Sequence, residues 1–100
     1  MITRIWHGTT KARDADAYLE FLDKTGIRDY QKTAGNLSIK ILRRLENDTC
    51  HFWTVTEWES LEHIKAFAGE DLEKARYYPE DKDFLLEFEE KVIHCETFEY

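Results

Sequence analysis

The sequence predicts an α+β fold whose elements run in the order β-α-β-β-α-β, and three observations predict it. The hydrophobic period switches repeatedly between two residues and 3.6 residues along the chain. A two-residue turn, Asn47-Asp48, separates two alternating segments near the middle. One hundred residues with 42% apolar and 14% aromatic content are enough for one core and argue against a disordered chain. Residues 1–100 read as one domain.

Ile2–Thr10 is short and rich in β-branched and aromatic residues, the composition of a first strand. From Ala12 the period changes: Ala15, Tyr18, Leu19 and Leu22 form the stripe of an amphipathic helix, with Gly26 as its stop and Ile27–Ala34 as a connector. Gly35 opens a second strand, with Leu37, Ile39 and Ile41 on one face. Thr49–Trp58 returns as a third strand after the Asn47-Asp48 turn. Ser60 is a helix N-cap, with Leu61, Ile64, Phe67 and Ala68 on the buried stripe and Gly69 at the end. Asp71–Arg76 reads as a further short helical piece, and Pro79 holds Tyr78 extended. Leu86–Tyr100 reads as a last long strand with an interruption near Glu89-Glu90.

Right-handed crossovers around a central hairpin make this the split βαβ, or ferredoxin-like, arrangement: a four-stranded antiparallel sheet with helices on one face. The other face also needs a cover. Trp6, Trp53 and Val55 alternate against Ile5, Phe52 and Trp58, so the first and third strands carry large apolar groups on both sides. Such a sheet on a monomer exposes more apolar area than soluble monomers tolerate, which predicts a homodimer joined sheet to sheet.

Net charge is −7 and uneven: residues 1–50 carry nine basic and seven acidic groups, residues 51–100 five and fourteen. An acidic chain gains nothing from phosphate backbones, so nucleic acid is not an expected partner. The third strand, Cys50 to Glu57, lacks the glycine and basic lead of an RNA-recognition strand. No apolar run reaches the length of a membrane span and no signal peptide precedes the first strand, so the expectation is a cytoplasmic protein without a membrane partner. There is no C-x-x-C, Walker loop, G-x-S-x-G or H-E-x-x-H.

Cys50-His51 and His94-Cys95 suggest a metal, but neighbours on a strand point to opposite faces, and each dipeptide offers one ligand at most to a given site. The plainer reading is buried cysteines beside hydrogen-bonded histidines, with no metal. Glu80, Asp81, Asp83, Glu87, Glu89 and Glu90 read as a solvated acidic edge. What remains is an aromatic-lined cavity between sheet and helices, framed by His7, Trp58, Arg76, Tyr77, Tyr78 and His94. Each has a structural alternative: Trp58 as core, His7 and His94 as satisfied strand histidines, the tyrosine pair as a dimer contact.

The run Thr54-Val55-Thr56-Glu57-Trp58-Glu59-Ser60, a short helix, and Gly69-Glu70-Asp71-Leu72-Glu73-Lys74-Ala75 resemble the antibiotic biosynthesis monooxygenase (ABM) domain family, which includes haem-degrading monooxygenases. The late Lys91-Val92-Ile93-His94 agrees. Ala66 to Asp71 followed by Tyr77-Tyr78-Pro79-Glu80-Asp81 resembles a bacterial subgroup of it. The resemblance implies a dimeric α+β barrel and an oxidation of phenols, anthrones or quinols by O₂ without metal, flavin or other cofactor. The substrate then supplies the electrons, and the protein supplies a base, hydrogen bonds to an oxyanion and a dry aromatic wall. His7 or His94 is the implied base, Arg76, Tyr77 or Tyr78 the oxyanion partner, and Trp58 the wall.

Haem-degrading members carry an Asn on the first strand, a Trp ending the third, and an axial His after the second helix. Trp58 matches, but an ungapped alignment puts His7 at the Asn and Arg76 at the His. A guanidinium stays protonated and is no ordinary haem ligand. His63, beside Glu62, reads as helix surface. Three readings stand: a monooxygenase-like enzyme on a small aromatic or quinone-type metabolite, a non-catalytic dimeric binding protein, and a haem-binding protein using His7, His94 or a tyrosine.

Overall fold

The computed structural model describes residues 1–100. Strand β1 (Ile2–Lys11) leads into helices α1 (Ala15–Lys24) and α2 (Gly26–Lys32). Strands β2 (Asn36–Glu46) and β3 (Thr49–Trp58) form the hairpin, helix α3 (Leu61–Ala68) follows, and strand β4 (Ile93–Glu96) ends the fold. The sheet is antiparallel in the order β2-β3-β1-β4, the ferredoxin-like order expected from the sequence.

The α1 stripe buries Ala15, Tyr18 and Leu22 as its periodicity requires. Its end differs from expectation. The helix stops at Thr25, whose backbone N–H and hydroxyl both bond the Phe21 carbonyl, and Gly26–Lys32 is a helix rather than a connector. Burial of Tyr30 holds that short α2 in place. Ser60 caps α3 by accepting from the His63 N–H. Ile64 and Phe67 face inward, while Leu61, expected on the same stripe, is 42% exposed at the first turn.

Three further expectations are corrected. A register shift between Asn36 and Ser38 turns Leu37 outward, leaving Ile39 and Ile41 to pack on the core. Asp71–Arg76 is not helical, because its backbone groups bond elsewhere: Ala75 N–H to the Glu90 carbonyl and the Glu73 carbonyl to Val92 N–H. The last strand is only Ile93–Glu96, paired with Ile2–Ile5. Upstream of it the chain bonds two partners in turn, the β1 edge at Thr9 through Leu86 N–H and then the 73–75 segment, so no continuous strand forms.

Both sheet faces are apolar, but the pairing sorts them differently from the sequence reading. Trp6, Phe52 and Trp58 lie under the helices, whereas Ile5, Trp53 and Val55 share the open face with Leu42 and Ile93. Gly8 matters on the covered face: a Cβ there would sit 2.4 Å from the Trp6 indole, which lies across it. The core divides in two. Trp6, Tyr18, Leu22, Phe52 and Val92 belong to one cluster, and Tyr30, Trp58, Ile64 and Phe67 to the other. No helix is long and apolar enough to cross a membrane.

Candidate functional site

A cavity lies where the two clusters meet, with Trp6, Tyr18 and Val92 from one side and Tyr30 and Phe67 from the other. Its polar wall is Arg4, Arg76, Tyr77, Tyr78 and Asp81. The free space is about 40 Å³, room for a few waters, against the roughly 150 Å³ of an apolar cavity that holds benzene. A wider groove of about 540 Å³ lies next to it, lined by Glu73, Lys74, Phe88 and Lys91 among others. Tyr77 borders both, so it stands between the cavity and the groove.

Pro79 fixes the entry to a short 3₁₀ turn at Pro79–Asp83, and Asp81 folds back to cap it, accepting from Tyr78 N–H at 2.7 Å. The second carboxylate oxygen accepts from the Tyr18 hydroxyl at 3.0 Å. Asp81 is 3% exposed. Burial pushes its pKa above the usual carboxylate value, and the two hydrogen bonds oppose that rise without cancelling it. Burial and the neighbouring carboxylate push the Tyr18 phenol up as well.

Tyr77 accepts from Trp6 Nε1 at 3.2 Å and donates to the Glu89 carbonyl at 2.6 Å. Tyr78 donates to Asp29, and burial and that bond raise its pKa. Arg76 bonds the Phe67 carbonyl and Asp29, each at 3.2 Å, and its guanidinium lies 4.8 Å from the centre of the Phe67 ring. Its charge is therefore already compensated. On the cavity floor, Arg4 donates to the Leu72 carbonyl at 2.7 Å, to the Lys74 carbonyl at 3.3 Å and to His94 Nε2 at 3.0 Å.

Of the residues expected from the sequence, Arg76, Tyr77 and Tyr78 meet at the cavity, and the others stand elsewhere. Trp58 is fully buried behind it, donating to Thr56 Oγ1 at 2.9 Å and packing on Tyr30 and Phe67. His94 sits behind Arg4, and burial with the adjacent guanidinium lowers its pKa, so its neutral ring accepts the Arg4 hydrogen bond. His7 is on the open sheet face. It bonds Glu89 through Nδ1 and His51 through Nε2 at 3.0 Å, and its ring lies 5.1 Å from that of Trp53.

Arg4, Tyr18, Tyr30 and Asp81 were not singled out from the sequence as site residues. Two steps from Trp6 on a strand, Arg4 had to share its buried face, so alternation carried that signal. Asp81 reads from the sequence as part of an acidic edge, yet its place three residues after the extended Tyr78, inside the turn that Pro79 begins, is a capping position. Cys95 is exposed, not buried, because β4 is an edge strand with an uncovered outer face. No group of three or more His, Cys, Asp or Glu side chains is placed to hold a metal ion.

No protein-family profile and no curated protein matches the sequence. Solved structures do match. A Bacillus cereus protein, provisionally described as an antibiotic biosynthesis monooxygenase, superposes with a TM-score of 0.68 at 16% identity over 99% of this chain and 96% of its own. A Nitrosomonas europaea protein with the same provisional description gives 0.69 at 16% identity, over 99% and 100%. This chain has the ABM fold. The heme-degrader MhuD from Mycobacterium tuberculosis, with two hemes bound in its active site, aligns at 0.55 and 20% identity over 97% of this chain and 95% of its own. The ABM likeness is one of backbone course, and the cavity lies between its sheet and helices.

Proposed function

We propose that the chain is a monooxygenase-like enzyme that oxidises a small electron-rich aromatic with O₂, without metal or flavin. The observation that carries this reading is an aromatic-walled cavity lined by a buried carboxylate of raised proton affinity, Asp81. The ring lies between Trp6, Tyr30 and Phe67 once Tyr77 swings toward the groove. Asp81 takes the proton of the phenol or of an activated CH₂, and the resulting anion gives electrons to O₂. For a CH₂ converted to C=O the balance closes internally: one oxygen atom enters the product and the other leaves as water with the two hydrogens. Arg76, on the cavity wall, is the partner of the developing oxyanion.

The open apolar face of Ile5, Leu42, Trp53, Val55 and Ile93 supports a homodimer joined through it. Haem does not fit the residues present. Neither histidine nor cysteine lines the cavity, Arg76 stands paired with Asp29, and the Tyr18 and Tyr78 hydroxyls donate to carboxylates that hold them protonated. Oxygen uptake with a panel of hydroquinones and anthrones tests the enzyme reading. Uptake at one O₂ per substrate, lost in Asp81→Asn, is the expected result. Tight binding with no uptake for any substrate overturns it in favour of a binding protein. Sedimentation at micromolar concentration tests the dimer, and a 12 kDa species ends that part.

A further inference from the structure

Arg4 is 2% exposed, and no carboxylate reaches its guanidinium within ion-pair distance. Its neighbours are neutral: two backbone carbonyls, the Nε2 of His94 and the Tyr30 phenol, which favours the charged guanidinium. Its Nε–H is the one buried side-chain polar atom in the chain without a hydrogen-bond partner. An uncompensated cation in an apolar interior is strongly disfavoured, and proteins neutralise such charges or pair them. The carbonyl bonds explain why the side chain is held, stapling the 72–74 segment to β1. They do not explain why the staple is a charge with a free, buried N–H on a residue that lines the cavity. Arg76, the other cation of the wall, differs in having Asp29 as its counter-charge.

We infer that Arg4 is the anion anchor of the cavity, and that the ligand is an aromatic carrying one ionised oxygen, whose charge completes the Arg4 site. The inference rests on the ring-binding reading above and narrows it. A guanidinium N–H bonded to an ionised oxygen is a charge-assisted hydrogen bond, and the low dielectric of the cavity strengthens it. Asp81, the acidic member of the wall, is already engaged with Tyr18 and Tyr78 and is not an ion-pair partner of Arg4. The walls supplied by Trp6, Tyr30 and Phe67 select a ring, and Arg4 selects its anionic form.

The test uses 4-nitrophenol, whose yellow anion reports its own ionisation, and 4-nitroanisole, its neutral methyl ether. The wild-type chain is expected to bind the anion at least about tenfold more tightly than the ether, the ratio one charge-assisted hydrogen bond supplies. The apparent pKa of the bound phenol is expected to fall correspondingly. Arg4→Met abolishes the preference while the ether still binds, and Arg4→Lys, which keeps a cation, retains part of it. Equal binding of anion and ether by the wild type, or an undiminished preference in Arg4→Met, overturns the anchor and leaves the ring site standing. Failure of both probes to bind overturns the ring site, and the anchor with it. Should Arg4→Met not fold, the wild-type ratio and Arg4→Lys decide.

Discussion

Replacing Tyr18 by phenylalanine isolates one hydroxyl in the wall of the cavity. The Tyr18 ring packs against Phe52, Phe84 and Phe21 at centroid distances of 5.0, 5.3 and 5.9 Å, and phenylalanine preserves all three contacts. What is lost is the 3.0 Å hydrogen bond to buried Asp81, which ties α1 to the turn after Pro79. A hydrogen bond to a charged group contributes about 1.5–3 kcal/mol. For a domain of this length that lowers the melting midpoint by about 10 °C. The penalty carries a pH signature. Asp81 already has a raised pKa, and the Tyr18 bond is one of the two interactions holding it down. Because the folded carboxyl binds its proton more tightly than the unfolded one, stability is lost as pH rises through the folded pKa. Without Tyr18 the folded pKa climbs further, so the variant suffers most where the carboxylate is ionised. Urea titrations at pH 7 and pH 4, followed by tryptophan fluorescence, are expected to show a larger deficit at pH 7. A deficit below about 0.5 kcal/mol, or one equal at the two pH values, refutes the assignment of Asp81 as a buried, hydroxyl-supported carboxylate.

Gly35→Ala forces a side chain onto a residue at φ +90° and brings its Cβ within 2.2 Å of the His63 ring, so a loss of about 1–3 kcal/mol in thermal or urea unfolding is expected. Ser60→Ala removes the α3 cap together with the 2.8 Å hydrogen bond between the Ser60 hydroxyl and His63 Nδ1, and is expected to cost about 1–2 kcal/mol in the same assay. His94 has a folded pKa below the ordinary 6.5, so stability falls as pH drops through that window, where the unfolded chain takes up the proton more readily. His94→Gln keeps an acceptor for Arg4 and is expected to shrink the stability difference between pH 7 and pH 5. Tyr77→Ala merges the cavity with the groove, and stopped-flow binding of 4-nitroanisole is expected to speed up; an unchanged rate places the entrance elsewhere.

The legible parts of the fold were those governed by short-range rules. Strand β3 matched its alternation at both ends, and Ser60 and Gly69 bounded α3 because capping is local chemistry. The illegible parts depended on partners distant in sequence. Segment 71–76 carries helix-forming residues, yet residues 90–92 and Arg4 capture its backbone groups. Leu37 obeys the alternation of its strand until a bulge, set by pairing to β3, turns it out. The site divides along the same line. Arg76, Tyr77 and Tyr78 follow directly from one stretch of chain after α3. His7 and Trp58 depended on which face each strand residue takes and on which buried aromatic borders empty space. The first of these was readable: His7 is one step from Trp6, so the two cannot share a face.

The position of the cavity follows from the division of the core. Two apolar clusters that packed against each other without a break would leave no reason for ionisable groups between them. Arg4 and Asp81 occupy that seam from opposite ends of the chain, and they do not neutralise each other. Each weakens the folded state by its burial, and each is held by a separate set of hydrogen bonds from backbone and side chains. Pairing them directly would relieve both costs, yet each keeps its own hydrogen-bond partners. An interior arranged for stability alone has no use for that separation. The proposed site, binding an anion at one wall and accepting a proton at another, requires it.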